Sequence, residues 1–496
     1  MGARPRPVAV SGVPGLSADL PGATAGGKQW QWQWRLELNV ASRGGIFAAS
    51  HRSTTIGIIV AMTLVAFEGI AVATVMPVVG RELNGLQIYS WAFSAYVGAS
   101  LVGMVSSGVW SDRIGPRHPF VLGAIIFGTG ALLSGSAPTM GWLIVGRGIQ
   151  GLGGGALIVA LYVVIGRGYD ERLRPKAFSV LSAAWVIPAL VGPVVAGWLT
   201  EVATWRWAFW LVPVVIIWPL VALRPALISH SGGTGERGRS SRPWWALTAA
   251  VGLTGIQVGL VRPAGVSPWL ALIAGVVGFG LLLPAARILL PAGALRLARG
   301  LPTTVVMRGI LAGTFFASEA FLPLALVQLR GVSVTWAGLT LAVASAGWIA
   351  GSAWQSRLPG EVDRARAVQL GTSLVAVGLA TLPLCLIPAL PVWTCVGSWL
   401  IGALGMGLCF PSINVQTLRL SAKANQGRNS SGLQISDAIF TAVGLGVAGA
   451  IHSAGVVGGG ADRTTYTVMW LIAAVIAGIA ALVVARRITP VVQDQG

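Results

Sequence analysis

The sequence predicts an all-α integral membrane protein of about fourteen transmembrane helices, built as two six-helix bundles with two extra helices between them. Three observations carry this. Hydrophobic residues make up 54% of the 496 residues, while Asp, Glu, Lys and Arg together make up only 10%. Soluble globular domains carry roughly 25% of these charged residues, so the surplus apolar surface here must face lipid. The apolar residues are grouped in runs of the roughly 20 needed to cross a bilayer. The basic residues sit in short clusters between those runs.

Taken in order, residues 1–53 are rich in Gly, Pro, Ala and Arg and have no long apolar run. They read as a disordered cytoplasmic tail, with one oddity, the alternating Gln29-Trp30-Gln31-Trp32-Gln33-Trp34-Arg35, suited to a lipid interface. Spans follow at 54–79, 91–111, 119–138, 141–166, 176–199 and 205–223. Two more lie at 244–262 and 268–290. The last six are at 303–329, 335–356, 367–388, 391–416, 429–453 and 465–485. The polar stretch Ser229–Pro243 reads as a linker. The expected domains are a first bundle at 54–227, a linker with two extra spans at 228–300, a second bundle at 301–487 and a cytoplasmic tail at 488–496.

Charge orients this arrangement. With both termini inside, most of the 34 Lys and Arg residues fall in inner segments. No outer loop then holds more than one, the five being Arg81, Arg206, Arg262, Arg330 and Arg463. A miscounted span would invert every later loop and spoil the pattern. A multi-pass protein of the inner (plasma) membrane with both termini cytoplasmic is therefore expected.

The same composition excludes other classes. The formal charge of +19 is dispersed rather than gathered in a patch, so it encodes topology and not nucleic-acid binding. Cys385, Cys395 and Cys409 lie in or beside apolar segments without metal-ligand spacing. No nucleotide-binding Gly-x-x-x-x-Gly-Lys-Ser/Thr loop and no catalytic triad is present. The chain is expected to be no enzyme and to need no cofactor or metal, with a proton gradient as its energy source. Its partners would be a small-molecule substrate, protons and the lipid bilayer; the oligomeric state stays open, a monomer being plausible.

The loop after the second span reads Gly108-Val-Trp-Ser-Asp112-Arg113-Ile-Gly115-Pro-Arg117-His118. A short acidic and basic turn between membrane helices can latch an inner gate through charge pairs that break when the bundles move. Here the chain resembles the major facilitator superfamily, whose signature for this loop is Gly-x-Leu-Ala-Asp-Arg-x-Gly-Arg-Lys. Gly108, Asp112, Arg113, Gly115 and Arg117 match; Trp110 and Pro116 depart. Arg147-Gly-Ile-Gln150-Gly151 in the fourth span resembles the family's Arg-x-x-Gln-Gly pattern, which the resemblance links to proton transfer. The fifth span carries Gly192-Pro193-Val-Val-Ala196-Gly197, similar to the antiporter signature Gly-x-x-x-Gly-Pro-x-x-Gly-Gly. Gly192, Pro193 and Gly197 match, while Pro188 and Ala196 replace glycines. Trp205-Arg206-Trp207-Ala-Phe209 also looks like the fourteen-span drug:proton antiporters.

Three acids fall within spans: Glu68, Glu319 and Asp437. A charged side chain at mid-membrane costs about 2.5–3.5 kcal/mol on insertion scales, so it marks function by default. With Arg147 they are the candidates for proton coupling. Glu68 and Glu319 occupy the first helix of each bundle, which pseudo-symmetry would bring to a common cavity. Phe67, Gln150, Phe315, Phe316 and Gln434 are its candidate lining, suited to an apolar or cationic substrate. The expected function is proton-coupled export of amphipathic drugs or hydrophobic metabolites. Nutrient import or lipid export by the same fold is the alternative, and a non-transporting receptor or scaffold is the alternative of another class.

Overall fold

The computed structural model describes residues 45–49, 51–229, 241–358, 361–422 and 426–488. The expected N-terminal tail and its Trp-rich segment, most of the linker and the last eight residues lie outside the described residues. Within them the apolar runs fold into seventeen α-helices and no strand. In lipid only a helix satisfies every backbone N–H and C=O within its own segment.

The helices before the linker are α1 (Arg52–Glu82), α2 (Trp91–Ile114), α3 (Arg117–Gly135), α4 (Met140–Gly168), α5 (Arg174–Ala183), α6 (Val186–Val202), α7 (Trp207–Val215), α8 (Ile217–Ala222) and α9 (Arg224–Ser229). A hairpin of α10 (Arg242–Leu260) and α11 (Pro268–Leu289) follows. The remainder are α12 (Leu301–Arg330), α13 (Val334–Ser356), α14 (Glu361–Thr381), α15 (Thr394–Arg419), α16 (Gln426–Val457) and α17 (Arg463–Arg487).

Among the described residues, twelve stretches are long and apolar enough to cross a membrane. The other two expected spans are helical but fall short of that measure. Between 207 and 222 the chain breaks into α7 and α8, which carry Pro213 and Pro219. α10 begins with Arg242 and buries Gln257. The count of fourteen therefore goes beyond what length and apolarity give.

The fifth span is also broken, between Ala183 and Val186. The cause is local: Pro188 has no N–H to give the carbonyl of Ala184, and its ring crowds that carbonyl. The freed Ala184 oxygen accepts a hydrogen bond from Thr63 Oγ1 of α1, at 3.2 Å. Pro193 repeats the situation one turn on, and the freed Ala189 oxygen accepts from Ser345 Oγ of α13, also at 3.2 Å. In α15, Pro411 frees the Gly407 oxygen, which accepts from Ser352 Oγ at 3.3 Å. Each of these three prolines is thus matched to a hydroxyl on a neighbouring helix.

Most helix packing stays within residues 52–229 or within 301–487; α6 against α13 and α2 against α16 join the two groups. These joining contacts gather towards one membrane face, that on which α1 ends and α2 begins. There Tyr89 Oη donates to Ala320 O at 3.0 Å, and Tyr89 rings against Phe321 and His452. Glu201 of α6 accepts from the amide of Thr335, in the first turn of α13, at 3.0 Å. The conformation is closed on this face. α10 lies over the same seam: Gln257 Nε2 donates to Ser90 Oγ at 2.9 Å, and Trp91 Nε1 donates to Val261 O at 3.0 Å.

Candidate functional site

Glycines decide how α4 sits. A Cβ on Gly151 would lie 2.8 Å from Tyr96 Cα of α2, and one on Gly153 would lie 2.7 Å from Phe127 Cα of α3. Small residues on two faces let α4 be clasped between both neighbours. This close approach carries Arg147 into the packing rather than out to the surface, and its side chain is only 2% exposed.

Arg147 makes an ion pair and hydrogen bond with Glu68 of α1, which is fully buried. The same Nη1 donates to Gln150 Oε1 at 2.9 Å, and Nε donates to the carbonyl of Ala92 at 3.0 Å. The guanidinium lies 4.4 Å from the centroid of the Tyr96 ring. Its fork is thus used on three sides, which is what arginine does better than lysine. Glu68 Oε2 and Gln150 Nε2, by contrast, have no hydrogen-bond partner among the described residues. A buried carboxylate with one oxygen bonded to a cation and the other free has room for a proton.

A second pair lies between the other helices. Arg308 Nε of α12 donates to both oxygens of Asp437 on α16, at 3.0 and 2.8 Å. Its Nη1 donates to Asn414 Oδ1 of α15, and the guanidinium lies 4.3 Å from the Phe410 ring centroid. The geometry parallels that of Arg147, with one carboxylate, one amide oxygen and one aromatic face. Sequence reasoning named Asp437 but missed Arg308 and Asn414. The signal for Arg308 was present, since a cation inside the span 303–329 is as expensive as Arg147.

Glu319 is half-buried on α12 and has no ion pair among the described residues. Phe315 and Phe316 lie one turn before it on the same helix. Phe316 is half-buried and meets Trp348 and Phe410, with centroids 6.4 and 6.3 Å away. Phe67 and Gln434 are half-buried as well. Two of the expected lining residues are placed otherwise. Phe315 is 3% exposed and stacks on Trp399 at 4.3 Å, and Gln150 is wholly buried against Arg147.

The loop motif is engaged in an unexpected way. Asp112 Oδ1 lies 3.9 Å from Arg167 Nη2 of α4, whose Nη2 also donates to Ser111 O at 3.0 Å. Gly115, with φ of +85°, caps α2 in a backbone region that L side chains rarely adopt, and Arg117 opens α3. Gly108 faces Val159 of α4, while Arg113 lies exposed beside Asp112. In the fifth span, Gly192 faces Phe67, and Gly197 lets α6 approach the backbone at Thr335. Trp205 and Arg206 clamp the ends of α1 and α3. Trp205 Nε1 donates to Glu82 at 2.8 Å, and Arg206 donates to Gly135 O and Ala137 O at 3.1 and 3.0 Å.

The Major Facilitator Superfamily profile matches residues 56–436. The chain belongs to the major facilitator superfamily. It is a multi-pass membrane transporter of small molecules rather than an enzyme. A probable multidrug-efflux transporter of Mycobacterium tuberculosis is 24% identical over 76% of this chain and 83% of its own length. A multidrug transporter protein of Bacillus subtilis is 35% identical over 32% of this chain and 30% of its own length. A solved POT family transporter in complex with a thioalcohol-conjugated peptide covers 89% of this chain and 97% of its own. Its TM-score is 0.64 at 15% identity, a likeness of fold.

Proposed function

We propose that this superfamily member exports amphipathic drugs or hydrophobic metabolites in exchange for protons, from a plasma membrane with both termini cytoplasmic. The observation that carries the reading is the Glu68–Arg147 pair, buried in the membrane interior with Glu68 Oε2 left unbonded. Protonation of Glu68 neutralises one partner and releases Arg147 to its other acceptors, Gln150 and Ala92. Deprotonation restores the pair. A buried pair that can be made and broken by one proton couples ion binding to helix packing.

The bundles 54–227 and 301–487 then rock about the substrate. On this reading Tyr89, Gly338 and the α6–α13 contacts close the outer face. The Asp112–Arg167 contact and the loop 108–117 form the latch on the inner face. Glu319 and Asp437 are secondary proton sites. Phe67, Phe316 and Gln434 line the substrate path, which favours flat apolar cations. The names of the curated relatives support export over uptake.

The test is efflux of ethidium from energised cells expressing the protein, with and without a protonophore, in wild type, Glu68→Gln and Glu319→Gln. Gradient-dependent efflux that fails in Glu68→Gln is the expected result. Efflux indifferent to both substitutions would remove the carboxylates from the coupling. Absence of efflux from well-expressed wild type would move the substrate class to a narrow metabolite or a lipid.

A further inference from the structure

We propose that the groove between α3 and α8–α9 is a binding site for an anionic phospholipid, on the membrane face where α1 and α3 begin. Six residues line it: Arg117, Val121, Leu220, Arg224, Leu227 and Ile228. Arg117 and Arg224 are both exposed. Neither forms an ion pair among the described residues. Two guanidinium groups facing one groove repel each other unless an anion lies between them, and a phosphate accepts both forks.

The N-terminus of α3 points at the same place. Its cap is Pro116, it has no side-chain cap, and no acid lies in its first turn. With Pro119 lacking an N–H and the Phe120 amide bonded to Pro116 O, the amides of Arg117 and His118 are those left to add to the pull on an anion.

The order of residues with depth selects a lipid over a soluble phosphate. Arg117 and Arg224 stand at the membrane surface. Val121 lies one turn deeper along α3, and Leu220 one turn deeper before Arg224. A ligand spanning both levels needs a charged head and an apolar chain, which a phosphodiester lipid has and inorganic phosphate lacks. Leu227 and Ile228, about a turn beyond Arg224 on α9, complete the lining. Basic pockets between membrane helices recognise lipid headgroups in this manner.

The experiment uses the full-length protein in detergent. Native mass spectrometry counts retained lipid after titration with phosphatidylglycerol, phosphatidylcholine or inorganic phosphate. Wild type should retain phosphatidylglycerol at a site that phosphatidylcholine fills poorly and millimolar inorganic phosphate does not empty. Arg224→Gln and Arg117→Gln should each weaken that retention about fivefold, from roughly 1 kcal/mol per surface cation. Arg224→Lys should restore most of it. Arg357→Gln, at the C-terminal end of α13, serves as a control for general surface charge. Melting curves in phosphatidylcholine establish that each variant is folded. Equal retention of phosphatidylcholine, displacement by inorganic phosphate, wild-type retention in both glutamine variants, or an equal loss in Arg357→Gln would each overturn the proposal.

Discussion

Arg147 and Glu68 stand 79 residues apart in sequence and bond to each other in the interior of the helix packing, with side chains 2% and 0% exposed. Removing either partner has unequal consequences. Arg147→Ala leaves a buried carboxylate unpaired, a loss of about 3–5 kcal/mol. Glu68→Gln keeps an oxygen for Arg147 and removes the charge. Arg147→Ala is therefore expected to lower the melting temperature in detergent steeply, and Glu68→Gln far less while abolishing gradient-dependent transport. Wild-type melting in Arg147→Ala would contradict the pairing.

Glu319 offers the opposite case. It has no ion-pair partner to lose among the described residues, so Glu319→Gln is expected to leave the melting temperature unchanged or raise it. Transport assays at several pH values, run beside the melting curves, separate a proton site from a structural acid. A marked destabilisation would reveal a structural bond.

Pro193 and Ser345 act as one unit. Ser345→Ala leaves the Ala189 carbonyl without a partner, at about 0.6–1 kcal/mol. In a Pro193→Ala background that carbonyl regains an amide from its own helix, and Ser345→Ala then has little effect. A double-mutant cycle on thermal stability measures the coupling. Additive effects would mean that the hydroxyl does not answer the proline.

Gly151 tests the packing of α4. Gly151→Leu places a side chain on the Tyr96 backbone, and overpacking of this kind costs about 1–3 kcal/mol. Arg147 would be displaced along with the helix. The expected result is lower expression together with loss of transport, whereas Gly148→Leu, facing open space, should be tolerated.

The sequence was most legible where one rule acts on one segment. Apolar runs gave the long helices, and the rarity of intramembrane charge picked out Glu68, Arg147, Glu319 and Asp437. Partners were hidden because they depend on which helices meet. Nothing local to Asp437 points to Arg308, 129 residues away. The loop's charges read as a latch without naming the partner of Asp112, and Arg167 takes part because α2 and α4 end side by side. The fifth and sixth spans looked continuous by hydropathy, which does not register where a proline breaks the ladder. Phe315 was aromatic and central in its span, but periodicity alone does not separate a lining ring from a stacked one.

The separation of Glu68 from Arg147 also sets a clock on biogenesis. Ribosomes extend a chain at about 5–20 residues per second. The acid on α1 is therefore made about 4–16 s before its counter-ion on α4 has been synthesised. For that interval the first helix waits with a carboxyl that nothing in its own hairpin neutralises. The Asp437–Arg308 pair runs in the reverse order, cation first. Early residence of α1 in the bilayer thus depends on whatever accompanies it there, whether water, the insertion machinery or a bound proton.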